Sequence, residues 1–158
     1  MAVTTDIVES WRHPRRVMAR HLSRPTSEPW TFSLLVAFLV LAFVAQAPFF
    51  ERQSFFQPEV PVTQRMVAGG LALMASIPFW YGLAALAHLV ARATGARGGW
   101  NGARIALFWA LLTVSPLMLF QGLLAGFSGS SPGLAAVGFL TGAAFLTLWF
   151  LNMREVAR

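Results

Sequence analysis

The chain has 158 residues, of which 56% are hydrophobic and 11% are charged, and its formal net charge is +6. A soluble domain carries about 25% charged residues, so a chain with so few charges cannot cover a water-exposed surface. The composition therefore argues against a soluble protein and predicts an integral membrane protein.

The positive charge comes from arginine alone, because the sequence contains no lysine. This bias is typical of a GC-rich genome. The arginines lie beside apolar runs rather than on a polar domain, which favours anionic lipid headgroups over nucleic acid as the partner. The sequence also lacks cysteine, which excludes disulfides, thiolate catalysis and cysteine-held metals.

Residues 1–28 form a basic segment that precedes the first apolar run. Within it an apolar stripe recurs at three- and four-residue steps, at Ile7, Trp11, Pro14, Met18 and Leu22. Four arginines lie off this stripe, namely Arg12, Arg15, Arg16 and Arg20. The pattern predicts a short amphipathic segment in the headgroup layer, and Pro14 allows two short helices as well as one. A disordered basic tail is the alternative.

The transmembrane domain is predicted over residues 29–153. Uncharged runs span residues 29–50, 66–91 and 105–153, and the last contains the turn-forming sequence GFSGSSPG at 126–133. A helix needs about 20 residues to cross a hydrocarbon core of about 30 Å, so the last run suits two crossings. We therefore predict an all-α bundle of four transmembrane helices over residues 30–49, 66–91, 105–125 and 133–152, followed by a tail at 154–158.

The arginines are distributed unevenly between the two sides of such a bundle. Ten lie in the N-terminal segment, the 91–104 loop and the C-terminal tail, and only Arg52 and Arg65 lie on the other side. The positive-inside rule then predicts that both termini and the loop are cytoplasmic. The arginines expected to contact lipid headgroups or a partner are Arg12, Arg15, Arg16, Arg20, Arg92, Arg97 and Arg104.

The loop ARATGARGGWNGAR at residues 91–104 combines arginine with glycine, as many phosphate-binding loops do. It has no lysine, no GxGxxG spacing and no preceding strand, which argues against a nucleotide site. Two interpretations remain open. The loop is either a turn that contacts lipid headgroups or a docking segment for a cytoplasmic partner.

Residues 94–120, TGARGGWNGARIALFWALLTVSPLMLF, resemble a segment of the Yip (Ypt-interacting protein) family, and a looser likeness covers residues 25–155. Members have a Gly-rich cytoplasmic loop that leads through a basic residue into a helix with a mid-span proline. The matching positions are Gly98, Gly99, Arg104, Ala110 and Pro116. The resemblance implies a small multi-pass membrane protein. Eukaryotic members act in membrane traffic and contact Rab-type GTPases, but the arginine bias looks bacterial, so that partner is not carried over.

Pro78 and Pro116 lie inside the second and third predicted spans, and Ser76 and Ser115 lie just before them. Each proline removes a backbone hydrogen bond and tends to kink its helix, and each serine hydroxyl can bond a freed carbonyl. Tyr81 lies mid-span, where its hydroxyl needs a partner. We predict structural kinks here, with a transporter-like binding site as the alternative.

Small residues recur at four-residue spacing on either side of the last turn. The pairs are Gly122 with Gly126 and Gly138 with Gly142. Such pairs let two helix backbones approach closely. We predict packing within the bundle, with a dimer interface as the alternative.

All six acidic residues lie outside the predicted spans. Ion-coupled transport usually needs an intramembrane carboxylate, acid–base catalysis needs positioned partners, and no histidine–acid pair is placed to activate a serine or threonine. We therefore predict no enzymatic activity, no cofactor and no metal site.

Together these features predict a non-enzymatic protein of the Yip type, acting in membrane organisation or protein–protein interaction. Its partners would be a bilayer with anionic headgroups and, in addition, other membrane proteins or a second copy, but not nucleic acid. One alternative is an accessory subunit of a larger respiratory or photosynthetic membrane complex. Another is a small oligomeric transporter or channel. The expected location is the bacterial inner membrane.

Overall fold

A computed structural model describes residues 3–25 and 27–158, and every regular element within them is an α-helix. The helices are α1 (Val3–Ser10), α2 (Pro14–Leu22), α3 (Glu28–Phe56), α4 (Val62–Ala75), α5 (Ile77–Ala93), α6 (Trp100–Ser128) and α7 (Pro132–Val156). The predicted all-α bundle is confirmed. Four stretches, namely α3, α4 with α5, α6 and α7, are long and apolar enough to cross a membrane.

The bundle has two distinct ends because successive stretches run in opposite directions. We call one of them the terminal end: α3 and α6 begin there, and α5 and α7 finish there. Arg104 of α6 bonds Glu28 of α3, and Gly98 lies against Val156 of α7, which brings these segments together. The opposite end carries the short turns at 57–61 and 129–131.

Helix α6 is the centre of the bundle. In most folds one side of a helix faces solvent or lipid. The first half of α6 is instead buried almost continuously, from Ala103 to Ser115. Helix α3 packs on one side of it through Leu35, and α7 packs on another through Leu148. The side-chain amide of Asn152 in α7 also donates a hydrogen bond to the backbone carbonyl of α6 at a buried position. Protein therefore shields this part of α6 from lipid.

The second apolar stretch is broken into two helices. The sequence predicts one span over 66–91, whereas in the structure α4 ends at Ala75 and α5 begins at Ile77. Pro78 has no backbone N–H with which to continue the helical hydrogen bonds, and Ser76 between the two helices keeps a helical conformation, so α4 and α5 form one candidate span with a single-residue interruption. In contrast, α6 continues through Pro116.

Glycine allows the backbones of α3 and α6 to touch. A Cβ atom added to Gly122 would collide with the backbone carbonyl of Ala45, and one added to Gly126 would collide with Pro48. The pair on α6 is therefore a packing contact inside the bundle, and any larger residue there would force the two helices apart.

The glycine pair on α7 has a different environment. Gly138 lies beside the side chain of Gln121 on α6. Gly142 is exposed, and a Cβ atom added to it would meet nothing within 4 Å. The predicted internal packing is therefore not found at Gly142, because α7 turns this position outward.

Candidate functional site

Helices α1 and α2 form a hairpin that docks against the terminal end of the bundle. We call this unit the hairpin. Val17 and Met18 of α2 are fully buried, Val17 against the main core and Met18 beside Ile105 of α6. The sequence predicts an amphipathic segment lying in the headgroup layer with Trp11 on its apolar stripe, but Trp11 is 43% exposed. Three other stripe residues face the protein: Met18 is fully buried, and Ile7 and Leu22 pack against the core, so the hairpin docks on the bundle through most of the predicted apolar stripe.

A buried polar contact fixes the hairpin to α6. The indole Nε1 of Trp109 donates to the Ser10 hydroxyl at 3.0 Å, and that hydroxyl donates to the backbone carbonyl of Asp6 at 2.7 Å. Because each donor has its acceptor, this polar group can be buried without the cost of an unpaired N–H.

Arg20 joins the two helices of the hairpin. Its Nη2 atom lies 2.9 Å from Asp6 Oδ1 and 2.7 Å from Glu9 Oε2. The hydrogen bond from Arg20 is the largest influence on Glu9, and it lowers the pKa of that carboxyl below its usual value. Arg20 was predicted to face lipid headgroups. In the structure its guanidinium group is bonded to Asp6 and Glu9 of the hairpin itself.

His21 is enclosed between two tryptophans at the same interface. Its ring centroid lies 4.3 Å from that of Trp109 and 5.5 Å from that of Trp30. Burial lowers the pKa of His21 to about 4, with Asp6 opposing the shift and Arg24 reinforcing it. His21 is therefore a neutral aromatic contact near neutral pH.

A second polar cluster joins three helices at the terminal end. Glu28, which opens α3, accepts a hydrogen bond of 2.6 Å from Arg104 Nη1 and one of 3.1 Å from the Tyr81 hydroxyl. The Arg104 guanidinium also lies over the Tyr81 ring, 5.3 Å from its centroid. Tyr81 therefore has the partner that its hydroxyl was predicted to need. Arg104, like Arg20, is engaged inside the protein.

The glycines of the 91–104 loop have structural roles. Gly95 has φ of +88°, and the loop closes α5 with hydrogen bonds from Gly95 N to Arg92 O and from Ala96 N to Ala91 O. This is a Schellman C-cap, which strongly favours glycine. Gly98 lies so close to the Val156 backbone that a side chain there would collide. The glycines thus serve a helix cap and a close approach to α7.

The remaining predicted contact arginines are exposed, and none has a carboxylate partner among residues 3–25 and 27–158. They are Arg12, Arg15, Arg16, Arg92 and Arg97. Three of them surround a recess of about 410 Å³ at the turn of the hairpin. We call it the hairpin recess; it is lined by Arg12, His13, Pro14, Arg15, Arg16 and Leu151.

The hydroxyls beside the mid-span prolines bond within their own helices. Pro116 has no backbone N–H, so the carbonyl of Leu112, four residues earlier, lacks its usual partner. Ser115 Oγ donates to this carbonyl at 2.8 Å. Ser76 Oγ donates to a carbonyl of α4 at 2.6 Å and accepts from Trp80 Nε1 at 3.1 Å. Ser115 therefore compensates for Pro116, whereas the Ser76 hydroxyl bonds Leu73 rather than Met74, whose carbonyl Pro78 leaves without its usual partner.

Sequence reasoning missed the residues that dock the hairpin, namely Asp6, Ser10 and His21. Polar side chains in a short N-terminal segment are usually exposed, and their burial depends on α6, which is far away in the chain. The apolar Val17 and Met18 beside them offered the only signal. Across the part of the chain that the structure describes, no three His, Asp or Glu side chains are grouped to hold a metal ion.

The structure is thus a bundle of helices that are able to cross a membrane, with a basic hairpin docked at its terminal end. No curated protein and no solved structure matches the chain significantly. The family model described as the Yip1 domain matches residues 8–158, from the hairpin to the end of the chain. The chain therefore belongs to the Yip1 domain family and is a multi-pass membrane protein.

Proposed function

We propose that this protein is a non-enzymatic membrane organiser of the Yip type, which gathers anionic lipids beneath its terminal end. The terminal end faces the cytoplasm in this proposal, and the membrane is the inner membrane of a bacterium. The hairpin recess is the primary contact with lipid headgroups. The observation that carries the proposal is the set of three exposed arginines around that recess.

The charge balance of the hairpin supports this role. Asp6 and Glu9 are both bonded to Arg20, and no carboxylate in the described part of the chain lines the hairpin recess itself. Arg12, Arg15 and Arg16 remain exposed around one concave surface. Guanidinium groups bind phosphate oxygens in a two-pronged geometry, and each arginine near an anionic surface contributes about 1 kcal/mol.

The position of the recess also suits the headgroup layer. Leu151 of α7 forms its floor, five residues before the helix ends at Val156. The recess therefore lies where an apolar, membrane-crossing helix gives way to charged residues. Arg92 and Arg97 are exposed at the same end and add to the attraction over a Debye length of about 8 Å.

The charges at the opposite end favour the same orientation. Ten of the twelve arginines belong to segments at the terminal end, and positively charged loops are retained in the cytoplasm. The other two make contacts with the protein. Arg52 donates to the carbonyls that end α6, and Arg65 donates to the side-chain oxygen atoms of two glutamines.

The transporter alternative is less well supported. It needs polar groups at mid-membrane that are free to hold a substrate. The hydroxyls of Ser76 and Ser115 are instead bonded to carbonyls of their own helices, and Tyr81 bonds Glu28 at the terminal end. These residues therefore have structural partners.

The proposal can be tested by analysing the lipids that surround the protein. The full chain is extracted from cell membranes in polymer-bounded native nanodiscs, and the co-extracted lipids are quantified against those of the bulk membrane. We expect anionic phospholipid to be enriched around the wild type. The enrichment should fall in the triple variant Arg12→Gln, Arg15→Gln, Arg16→Gln, because the recess loses its charge.

A charge-preserving variant provides the matched control. Replacing Arg12, Arg15 and Arg16 by lysine keeps the positive charge and should retain most of the enrichment. Equal enrichment in the glutamine and wild-type proteins would contradict the proposal. A stoichiometric protein partner that is released by the glutamine substitutions would instead favour the accessory-subunit function.

A further inference from the structure

An open groove runs along the side of the bundle between α5 and α7. Its volume is about 650 Å³, within the range of about 300–1,000 Å³ found for small-molecule sites. The α5 wall consists of Leu83, Leu86, Ala87, Val90, Ala91 and Thr94. The α7 wall consists of Leu146, Trp149, Phe150, Met153, Arg154 and Ala157. Most of the groove is therefore apolar, and its charged residue lies near the terminal end.

The length of the groove matches one leaflet of a bilayer. Each wall runs over twelve residues, and therefore eleven residue-to-residue steps, from Leu83 to Thr94 on α5 and from Leu146 to Ala157 on α7. At a rise of about 1.5 Å per residue this is about 16 Å, roughly half of the 30 Å hydrocarbon core. A transmembrane helix of a partner or of a second copy would need a groove along the whole thickness. An acyl chain of a single lipid needs only this length.

The charge at the groove is available for an anion. Arg154 is exposed, and its guanidinium lies 4.6 Å from the centroid of the Phe150 ring, which holds it beside the groove. The neighbouring carboxylate, Glu155, is bonded to Arg158 at 3.2 Å. Among the described residues no carboxylate is paired with Arg154. The groove thus has a cationic mouth and an apolar interior.

We infer that this groove binds one anionic phospholipid of the leaflet at the terminal end. The phosphate contacts Arg154 at the mouth, and one acyl chain lies along Leu86 and Leu146. This inference depends on the proposed function only for the depth at which the headgroup layer lies. The hairpin recess contributes no residue to the groove. A phospholipid held here would fill the space between α5 and α7 and act as part of the bundle.

The inference is tested with two photoactivatable lipids that carry the same diazirine-labelled acyl chain. One has an anionic phosphatidylglycerol headgroup and the other a zwitterionic phosphatidylcholine headgroup. The full chain is reconstituted in phosphatidylcholine vesicles with a trace of either probe, irradiated, and analysed by peptide mass spectrometry. We expect the anionic probe to label the α5 and α7 walls about tenfold more than the zwitterionic probe, because both carry a phosphate but only the zwitterionic headgroup also carries a choline cation, which Arg154 repels.

Two variants address the two parts of the site. Ala87→Trp fills the groove and should abolish labelling of its walls by both probes. Arg154→Gln should leave acyl labelling in place but remove the preference for the anionic probe. The matched controls are Ala143→Trp, at an exposed position of α7 outside the groove, and Arg24→Gln, which removes an exposed charge at the same end that lines neither the groove nor the hairpin recess. Both controls should label as the wild type does.

Other outcomes would overturn the inference. Equal labelling by the two probes, or labelling unchanged in Ala87→Trp, would show that the groove holds no specific anionic lipid. Cross-links that join two copies through the groove would identify a second chain as its occupant. The glutamine variant of the hairpin recess separates this site from the proposed function, because it should lose lipid enrichment in nanodiscs while labelling of the groove is retained.

Discussion

The indole nitrogen of Trp109 on α6 donates a hydrogen bond to the hydroxyl of Ser10 on α1, at 3.0 Å and across 99 residues of sequence. Both side chains are about 99% buried. This bond connects the N-terminal hairpin to the central helix of the bundle. It therefore determines where the exposed arginines of the hairpin are displayed.

Replacing Ser10 by alanine should loosen the hairpin. The substitution leaves the Trp109 N–H buried without an acceptor, which costs about 1–3 kcal/mol. We expect amide hydrogen exchange in α1 and α2 to accelerate by about tenfold or more, since 1.4 kcal/mol corresponds to a factor of ten. The control is Ser33→Ala, whose exposed hydroxyl bonds only a carbonyl of its own helix. Unchanged exchange in Ser10→Ala would contradict the docking role of this bond.

Hairpin docking should weaken in mild acid. The pKa of His21 is lowered to about 4 from 6.5, so the docked hairpin binds fewer protons than the undocked one between these values. Docking stability therefore rises with pH through this window and decreases by about 3 kcal/mol as pH falls across it. Asp6, Arg20 and Arg24 are the charged groups that act on His21. The measurement is amide exchange of α1 and α2 against pH.

Two variants identify the group responsible for this pH dependence. His21→Leu should remove the transition between pH 6.5 and 4, whereas His13→Gln, at an exposed position, should keep it. The pKa of Glu9 is lowered from its usual 4.5 because Arg20 stabilises the charged carboxylate. Protonation of Glu9 therefore begins to affect docking at a more acidic pH than protonation of His21 does. An unchanged transition in His21→Leu would assign the effect to another group.

The crossings could be predicted from sequence because they depend on length and apolarity alone. Docking of the hairpin could not, because Ser10 and His21 are polar and become buried against Trp30 of α3 and Trp109 of α6, while Asp6 bonds Arg20 within the hairpin. The apolar stripe indicated part of the docked face, because Ile7, Met18 and Leu22 pack on the bundle, although Trp11 on the same stripe is exposed. Periodicity reports which side chains avoid water, and it cannot report which polar groups find a partner.

The same limit applies to two further features, namely the partners of the arginines and the interruption between α4 and α5 at Ser76. The positions of the arginines in the sequence assign ten of the twelve to the terminal end but do not show that Arg20 and Arg104 bond carboxylates of their own chain. A proline within an apolar run predicts a kink, and the packing of neighbouring helices decides between a kink and a break. Thus Pro116 lies within one continuous helix, whereas the stretch at Pro78 forms two.

The glycine pairs offer a matched comparison of stability. Gly122→Ala should lower the free energy of unfolding by about 1–3 kcal/mol, because its Cβ would collide with the backbone of Ala45 in a packed interface. Gly142→Ala should have no such cost, since that position is open, and its greater helix propensity favours folding slightly. Unfolding of the two purified variants in mixed detergent micelles measures the difference. Equal stability would argue that α3 and α6 do not touch at Gly122.

The proposed function depends most on which side of the membrane the terminal end faces, and the absence of cysteine makes this directly measurable. Single variants Arg97→Cys, in the loop of the terminal end, and Glu59→Cys, in the exposed turn of the opposite end, are treated with a membrane-impermeant maleimide in intact cells. We predict that Glu59→Cys is labelled at once and that Arg97→Cys is labelled only after the membrane is permeabilised. Labelling of Arg97→Cys in intact cells, with protection of Glu59→Cys, would contradict the cytoplasmic orientation of the terminal end and the proposed function that depends on it.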